Sequence, residues 1–294
     1  MGAEHWATVV EGLARRGVRR VRLTGGEPLM HPHVVAIARA IAAVDGIEDV
    51  AITTNGTRLA DLAMELRDAG VRRLNLSIDS RDPRRFFRLT RGGRVEDVLA
   101  GLDAAQRAGF ELKTNTVVIG GDDGNFDELP ELARFLLDRG ATPRFLELMT
   151  VGEGARIREH FIPFSAIRER LAGLLLEGDR GLTPAAGRGE PAREPDRGPA
   201  VYLPTRDGRR IGFITGTSDT FCSGCDRLRV SSDGQLRPCL ATNDAVDISA
   251  AIRTGDLAAI GDGLAAAWAQ KPDDAWGGCT EPSAAGVDMR ATGG

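Results

Sequence analysis

Apolar and polar positions follow two alternating rhythms through the first half of the chain. Short runs rich in Val, Ile and Leu at 18–23, 49–53, 72–78, 111–118 and 143–148 predict strands. Between them, apolar residues recur at helical spacing near 33–44, 60–69, 95–108 and 126–139, and Gly70, Gly109 and Gly140 supply stops. Strand and helix alternating at this spacing require right-handed crossovers, and hence a parallel sheet, open or curled into a barrel. The chain opens on a helical pattern at 4–16 with no strand before it. The strand at 18–23 therefore lacks the neighbour that a β/α series expects, so a preceding segment is expected to be missing, by truncation or a misplaced start, with a naturally shortened homologue the alternative.

The strand faces favour the curled form. A parallel sheet covered on both sides reads as continuous apolar runs, but here one side is polar. Arg20, Arg22 and Thr24 alternate with Val21 and Leu23, and Arg73, Asn75, Ser77 and Asp79 stand opposite Leu74, Leu76 and Ile78. Glu111, Lys113 and Asn115 likewise share a side. The expectation is an α/β fold: a partial TIM-like β/α barrel over 1–177, lacking its first strand, with a polar lumen. Residues 178–199 hold five Gly and four Pro in 22 positions and read as a flexible linker. Beyond it, a strand-like 209–215, an Asp233–Gly234 hairpin turn and helical stretches near 247–254 and 256–270 predict a smaller α+β module over 200–294.

Composition changes this picture little. With 42% apolar and 27% charged residues the chain reads as globular, and it has no apolar run long enough to span a membrane. A formal charge of −4 gives no support for nucleic-acid binding, and no secretory leader is visible, so a cytoplasmic location is expected. Lys113 and Lys271 are the only lysines among 38 basic residues, which sets Lys113, on a predicted polar face, apart from the arginines.

The cysteines change it more. None of the four precedes Cys222, and the pattern is Cys222-x2-Cys225, then 13 residues, then Cys239. Three thiolates, with a hairpin folding the third back on the first two, predict a metal site. Structural zinc takes four protein ligands, and only Cys279 is an obvious fourth, since the histidines lie at 5, 31, 33 and 160. A cubane cluster can hold three irons by cysteine and leave the fourth open. Ligand count favours iron, with zinc the alternative. Arg227 and Arg229 flank Leu228 beside this site and call for an anion, because an uncompensated buried charge costs several kcal/mol. Gly25-Gly26-Glu27-Pro28 and Thr53-Thr54-Asn55-Gly56 each follow a strand, and each alone reads as a tight turn. Together they fall at strand carboxyl ends, where β/α barrels build active sites. Ser77, Lys113, Arg144 and Met149 lie on or just beyond later strands.

Taken in order, Val21–Leu29 (with Gly-Gly-Glu-Pro), Thr53–Gly56, Asn75–Asp79, Lys113–Val118, Arg144–Met149, Cys222–Cys239 and the terminal Gly293–Gly294 resemble the GTP 3′,8-cyclases. These are radical S-adenosylmethionine (SAM) enzymes that begin molybdenum cofactor biosynthesis. The resemblance implies that Gly26, Glu27, Ser77 and Met149 contact SAM, and that Arg22, Thr53, Lys113, Arg227 and Arg229 hold GTP. It implies further that Arg144 takes part in the chemistry, that Cys222, Cys225 and Cys239 ligate a 4Fe–4S cluster, and that the Gly293–Gly294 tail threads toward the chamber. In the family, a 5′-deoxyadenosyl radical from SAM removes hydrogen from ribose C3′, and the ribose radical adds to guanine C8. An electron donor is implied as partner, and a homodimer is allowed. The family also carries a Cys-x3-Cys-x2-Cys motif after its first strand, and no counterpart precedes Cys222. The chain alone is therefore expected not to cleave SAM, the second 4Fe–4S cluster being expected only in a full-length form. The alternatives are another radical SAM enzyme with an auxiliary cluster, or a non-catalytic nucleotide- or metal-binding homologue.

Overall fold

A computed structural model describes residues 1–149, 152–176, 199–218 and 222–272. Most of the expected linker, Cys279 and the Gly293–Gly294 tail lie outside the described residues. The elements run α1 (Ala3–Ala14), β1 (Arg20–Leu23), α2 (Val34–Ala42), β2 (Asp49–Thr54), α3 (Leu59–Asp68), β3 (Arg73–Ser77), α4 (Pro83–Thr90), α5 (Val95–Arg107) and β4 (Glu111–Val118). There follow α6 (Leu129–Asp138), β5 (Thr142–Glu147), α7 (Phe164–Arg170), β6 (Val201–Pro204), β7 (Arg210–Ile214), β8 (Arg229–Val230), β9 (Gln235–Arg237), β10 (Val246–Asp247), α8 (Ser249–Thr254) and α9 (Leu257–Ala269).

The expected strands of the first half become β1 to β5, with ends shifted by one or two residues. In α2, Val34, Ile37, Ala38 and Ile41 are buried, the i, i+3, i+4, i+7 stripe of a helix lying on a sheet. Two helices went unanticipated. α4 carries its start signal plainly, since Asp82 caps it by accepting from Arg85 N at 2.7 Å and Pro83 fills the first turn. Its three arginines and single buried side chain, Phe86, obscure the apolar stripe. α7 is short, with Ile167 its one buried residue.

The main sheet has seven strands in the order β1-β2-β3-β4-β5-β7-β6. β1 to β5 and β7 are parallel to their neighbours, and β6 returns antiparallel to β7. This corrects the domain boundary expected from sequence: residues 201–214 belong to the barrel sheet and not to the cysteine module. The reason is the exposed ladder of β5, which β7 covers in parallel register from Arg144↔Gly212 to Leu146↔Ile214.

The sheet is curled. Its polar face is bridged from β5 back to β3, where Arg144 Nη2 donates to Asn75 Oδ1 past the intervening β4, as a concave lumen allows. On the outer face Ile52, Leu74, Leu76 and Phe145 are fully buried under helices. The small antiparallel sheet, in the order β10-β9-β8, packs with α8 and α9 onto α1. There Val9 and Leu13 meet Leu236, Ile248, Ile252 and Ile260. Among the described residues no helix is long and apolar enough to cross a membrane.

Candidate active site

Two loops at the carboxyl ends of β1 and β2 are fastened into one structure. Glu27 accepts from Leu29 N at 3.0 Å, Thr54 Oγ1 at 2.6 Å and Asn55 N at 2.6 Å, so its carboxylate bridges the Gly25–Pro28 turn to the Thr53–Gly56 turn. A carboxylate has about four acceptor sites, so these three donors leave capacity for a further one. Gly26 adopts φ +52°, a conformation favouring glycine, and a side chain placed there would meet nothing within 4 Å. Its backbone therefore borders open space.

Below these loops, strand register aligns the polar side chains of the lumen in rows. Thr53 stands beside Asn75 and Asn75 beside Lys113; one row further, Ser77 stands beside Asn115, and Asn115 beside Arg144. Asn75 links two strands, donating to Thr53 Oγ1 at 3.3 Å and accepting from Arg144 Nη2 in a short bond. Lys113, only 4% exposed, has Glu111 at 3.4 Å. Burial lowers its pKa to about 8, with Arg144 and Arg73 pushing the same way and Glu111 opposing. Arg144, 5% exposed, is likewise lowered, chiefly by burial. Arg22 is open to water yet ringed by protein, as a residue lining a cavity is. Withdrawal from bulk water, then Arg227, Arg144 and Arg73, bring it down to about 10. Arg73 is paired to Asp49.

The cysteine module closes this chamber from the β1 side. Arg20 on β1 pairs with Asp226 at 3.3 Å, and Arg227 is near enough to Arg22, Arg144 and Arg229 to lower the pKa of all three. Cys222–Gly224 forms a 3₁₀ turn, with Cys225 N donating to Cys222 O at 3.1 Å. Cys239 Sγ accepts from Ala241 N at 3.3 Å. Arg229 feels both Cys225 and Cys239, which oppose its lowering by burial and Arg227. Two of the three sulfurs thus stand around one guanidinium. Among the described residues no three His, Cys, Asp or Glu side chains are grouped to hold a metal ion. Three thiolates on one zinc would stand about 3.8 Å apart at ~2.3 Å per Zn–S bond, whereas a cubane gives each thiolate its own iron and needs no such convergence.

Sequence reasoning passed over several residues that build this site. Lys271 donates from Nζ to Arg227 O at 2.6 Å and Pro238 O at 2.9 Å, stapling the segments that follow Cys225 and precede Cys239. Its rarity was the available signal. Glu147, 1% exposed, accepts from Phe164 N at 2.7 Å, Thr217 N at 3.0 Å, Ser218 N at 2.8 Å and the Ser218 hydroxyl. It anchors the chain four residues before Cys222. Tyr202 reaches the lumen from β6, where Lys113 Nζ lies 5.6 Å and Arg210 Cζ 4.7 Å from its ring centre. Met149, beyond β5, packs against the buried pair Ala200 and Ile214, as do Leu146 and Tyr202.

A separate surface cavity of about 650 Å³ lies between the start of α4 and the segment before α6. Its arginines are matched by carboxylates, Arg85 meeting Asp127 at 3.1 Å and Glu128 at 3.2 Å. In the chamber the cations outnumber the carboxylates, and we assign the site there.

Comparison with known proteins bears on both halves. Residues 1–136 match the Radical SAM superfamily model and residues 141–276 the Molybdenum Cofactor Synthesis C model. A GTP 3′,8-cyclase of Erythrobacter litoralis is 40% identical over 83% of this chain and 71% of that protein. One from Heliobacterium modesticaldum is 39% identical over 86% of this chain and 74% of that protein. GTP 3′,8-cyclase 1 of Pseudomonas aeruginosa is 41% identical over 82% and 70%. In fold, the chain is similar to Streptococcus suis SuiB bound to S-adenosylmethionine, with a TM-score of 0.60 at 15% identity, covering 100% of this chain and 65% of that one.

Proposed function

The chain belongs to the family of GTP 3′,8-cyclases, and on that premise we propose that its cationic chamber binds GTP for ring closure between ribose C3′ and guanine C8, the first step of molybdenum cofactor biosynthesis. Membership of the radical SAM superfamily implies a 4Fe–4S cluster and SAM. When bound, with an electron from a donor, these supply hydrogen abstraction from the ribose.

The observation that carries the reading is the excess of cations about one chamber: Arg22, Lys113, Arg144 and Arg229 are each lowered by desolvation and by neighbouring cations, and Arg227 is among the neighbours of three of them. Mutual repulsion of this kind is relieved by a polyanion. A phosphate about 4 Å from one such group gains on the order of 4 kcal/mol at an effective dielectric near 20, before desolvation is deducted. Arg22, Lys113, Arg227 and Arg229 would hold the triphosphate, with Thr53 fixing the ligand's register beside Asn75. Arg144, held by Asn75, would present its guanidinium to the reacting portion. Gly26, Glu27, Ser77 and Met149 would receive SAM at the strand ends, where the Gly26 backbone is open and Glu27 keeps an acceptor site for an ammonium.

Cys222, Cys225 and Cys239 suit a three-cysteine 4Fe–4S cluster by their donor chemistry, leaving one iron open to a ligand. Residues 1–221 hold no cysteine to ligate the cluster that cleaves SAM. The test is anaerobic reconstitution followed by iron analysis and calorimetric titration. The expected result is about four irons per chain, as one cubane requires, and GTP binding that weakens in Arg227→Ala and Arg229→Ala. Zinc in place of iron would remove the cluster assignment, and absence of GTP binding would remove the substrate.

A further inference from the structure

Tyr202 is the only tyrosine of the chain, and it stands on the lumenal face, its ring packed against Ala200 and Ile214. On β6 it is in register with Gly212 of β7, which is in register with Arg144 of β5. A side chain at Gly212 would lie 2.7 Å from Arg144 Cγ and 2.9 Å from Tyr202 Cε1. The glycine therefore clears a slot in which the phenol ring and the arginine stem lie side by side. The phenol oxygen is close enough to Arg144 to favour its charge. Both Tyr202 Oη and Arg144 Nε are buried, and apart from their contact with each other neither has a hydrogen-bond partner among the described residues.

The groups around the phenol are nearly all donors. Lys113, Arg144 and Arg210 face it, and Glu111 is turned to Lys113. Asn115 Oδ1, an acceptor beside Arg144 in register, is itself unpartnered, so it does not take the phenol proton. A hydroxyl both donates and accepts, and among the described residues this proton has no acceptor. The acceptor missing from the slot is one that three cations would also attract.

We infer that Tyr202 is a substrate-binding residue whose hydroxyl donates to a phosphate oxygen of the nucleotide, in company with Lys113. This rests on the nucleotide reading above. The role is positional: a planar phenol fixed over Gly212 offers one directed hydrogen bond, where long cationic side chains supply attraction with less direction.

The test is calorimetric titration of the wild-type chain and Tyr202→Phe, anaerobically reconstituted, with GTP, inorganic triphosphate and guanosine. Tyr202→Phe keeps the ring and removes only the hydroxyl, and unchanged melting verifies that it folds. The expected result is an approximately tenfold loss of affinity for GTP and triphosphate, with guanosine binding as before. Equal GTP and triphosphate affinities in the two proteins would overturn the inference, as would a matching loss for guanosine. If the wild type binds none of the three, the nucleotide reading itself fails, a distinct outcome. A second readout uses the uniqueness of the residue: with ¹³Cζ-labelled tyrosine, triphosphate should shift the single resonance and guanosine should not. A resonance that triphosphate leaves in place would count against the contact even if affinity falls.

Discussion

The curled sheet and the cysteine module place their functional side chains by different means. In the sheet, a lumenal residue such as Asn75 is fixed by register with strands on both sides and by Leu74 and Leu76, fully buried behind it. In the module the strands are two or three residues long, and Leu236 is the fully buried residue on them. Cys225, Arg227 and Cys239 are held instead by point tethers: the Lys271 staple, the Arg20–Asp226 pair, and packing on α1 where Gly12 leaves room for Ile260. A ladder distributes the task of positioning over many bonds, whereas a tether concentrates it in one. Damage to the sheet should therefore be global, and damage to the module local.

The largest expected effect breaks the sheet. Leu74→Ala empties a fully buried site between strands and helices and should destabilise the chain by about 2–5 kcal/mol. The check is chemical denaturation followed by circular dichroism, with sheet and module lost in one transition shifted to lower denaturant. A variant that loses only the module's signal would contradict the distributed picture. Next is Lys271→Met, which removes two charge-assisted bonds to Arg227 O and Pro238 O at about 1.5–3 kcal/mol each. Iron retention should fall while the main unfolding transition hardly moves. Lys271→Arg, which retains donors, should restore part of the iron. Loss of iron and of global stability in equal measure would mean that Lys271 is an ordinary structural contact.

The same contrast explains what was legible in the sequence. Register is written in alternation: Arg73, Asn75 and Ser77 against Leu74 and Leu76 announced both the lumen and the face that bears it. Its rows could be anticipated because strand geometry is the same everywhere. The tethers were not legible, since each joins residues remote in sequence through one bond. Lys271 reaches back 44 and 33 positions, and Glu147 forward 70 and 71. The β6 strand was hidden for another reason: Val201–Pro204 is brief and ends in proline, as an edge strand tolerates. Tyr202 was missed with it, and the domain boundary was drawn too early.

Lys113 offers the smallest expected effect and the sharpest test of the sheet's half of the comparison. Its ammonium is held in the lumen by register, and burial brings its pKa to about 8 from an ordinary 10.5. Below about pH 8 both folded and unfolded chains keep the proton, so the full cost of burying the charge falls on the folded state. Between about 8 and 10.5 the unfolded chain binds more protons than the folded one, and that cost is relieved as pH rises. Lys113→Met, which removes the charge, should therefore melt higher than the wild type at pH 7, by an advantage that narrows as pH passes 8. Affinity for inorganic triphosphate should run the other way, falling in the wild type as pH rises through 8 and staying flatter in Lys113→Met. Melting curves that remain parallel from pH 7 to 9.5 would show that the lumen is wet enough to leave this lysine's charge unburdened. The cationic chamber would then be less enclosed than its register implies.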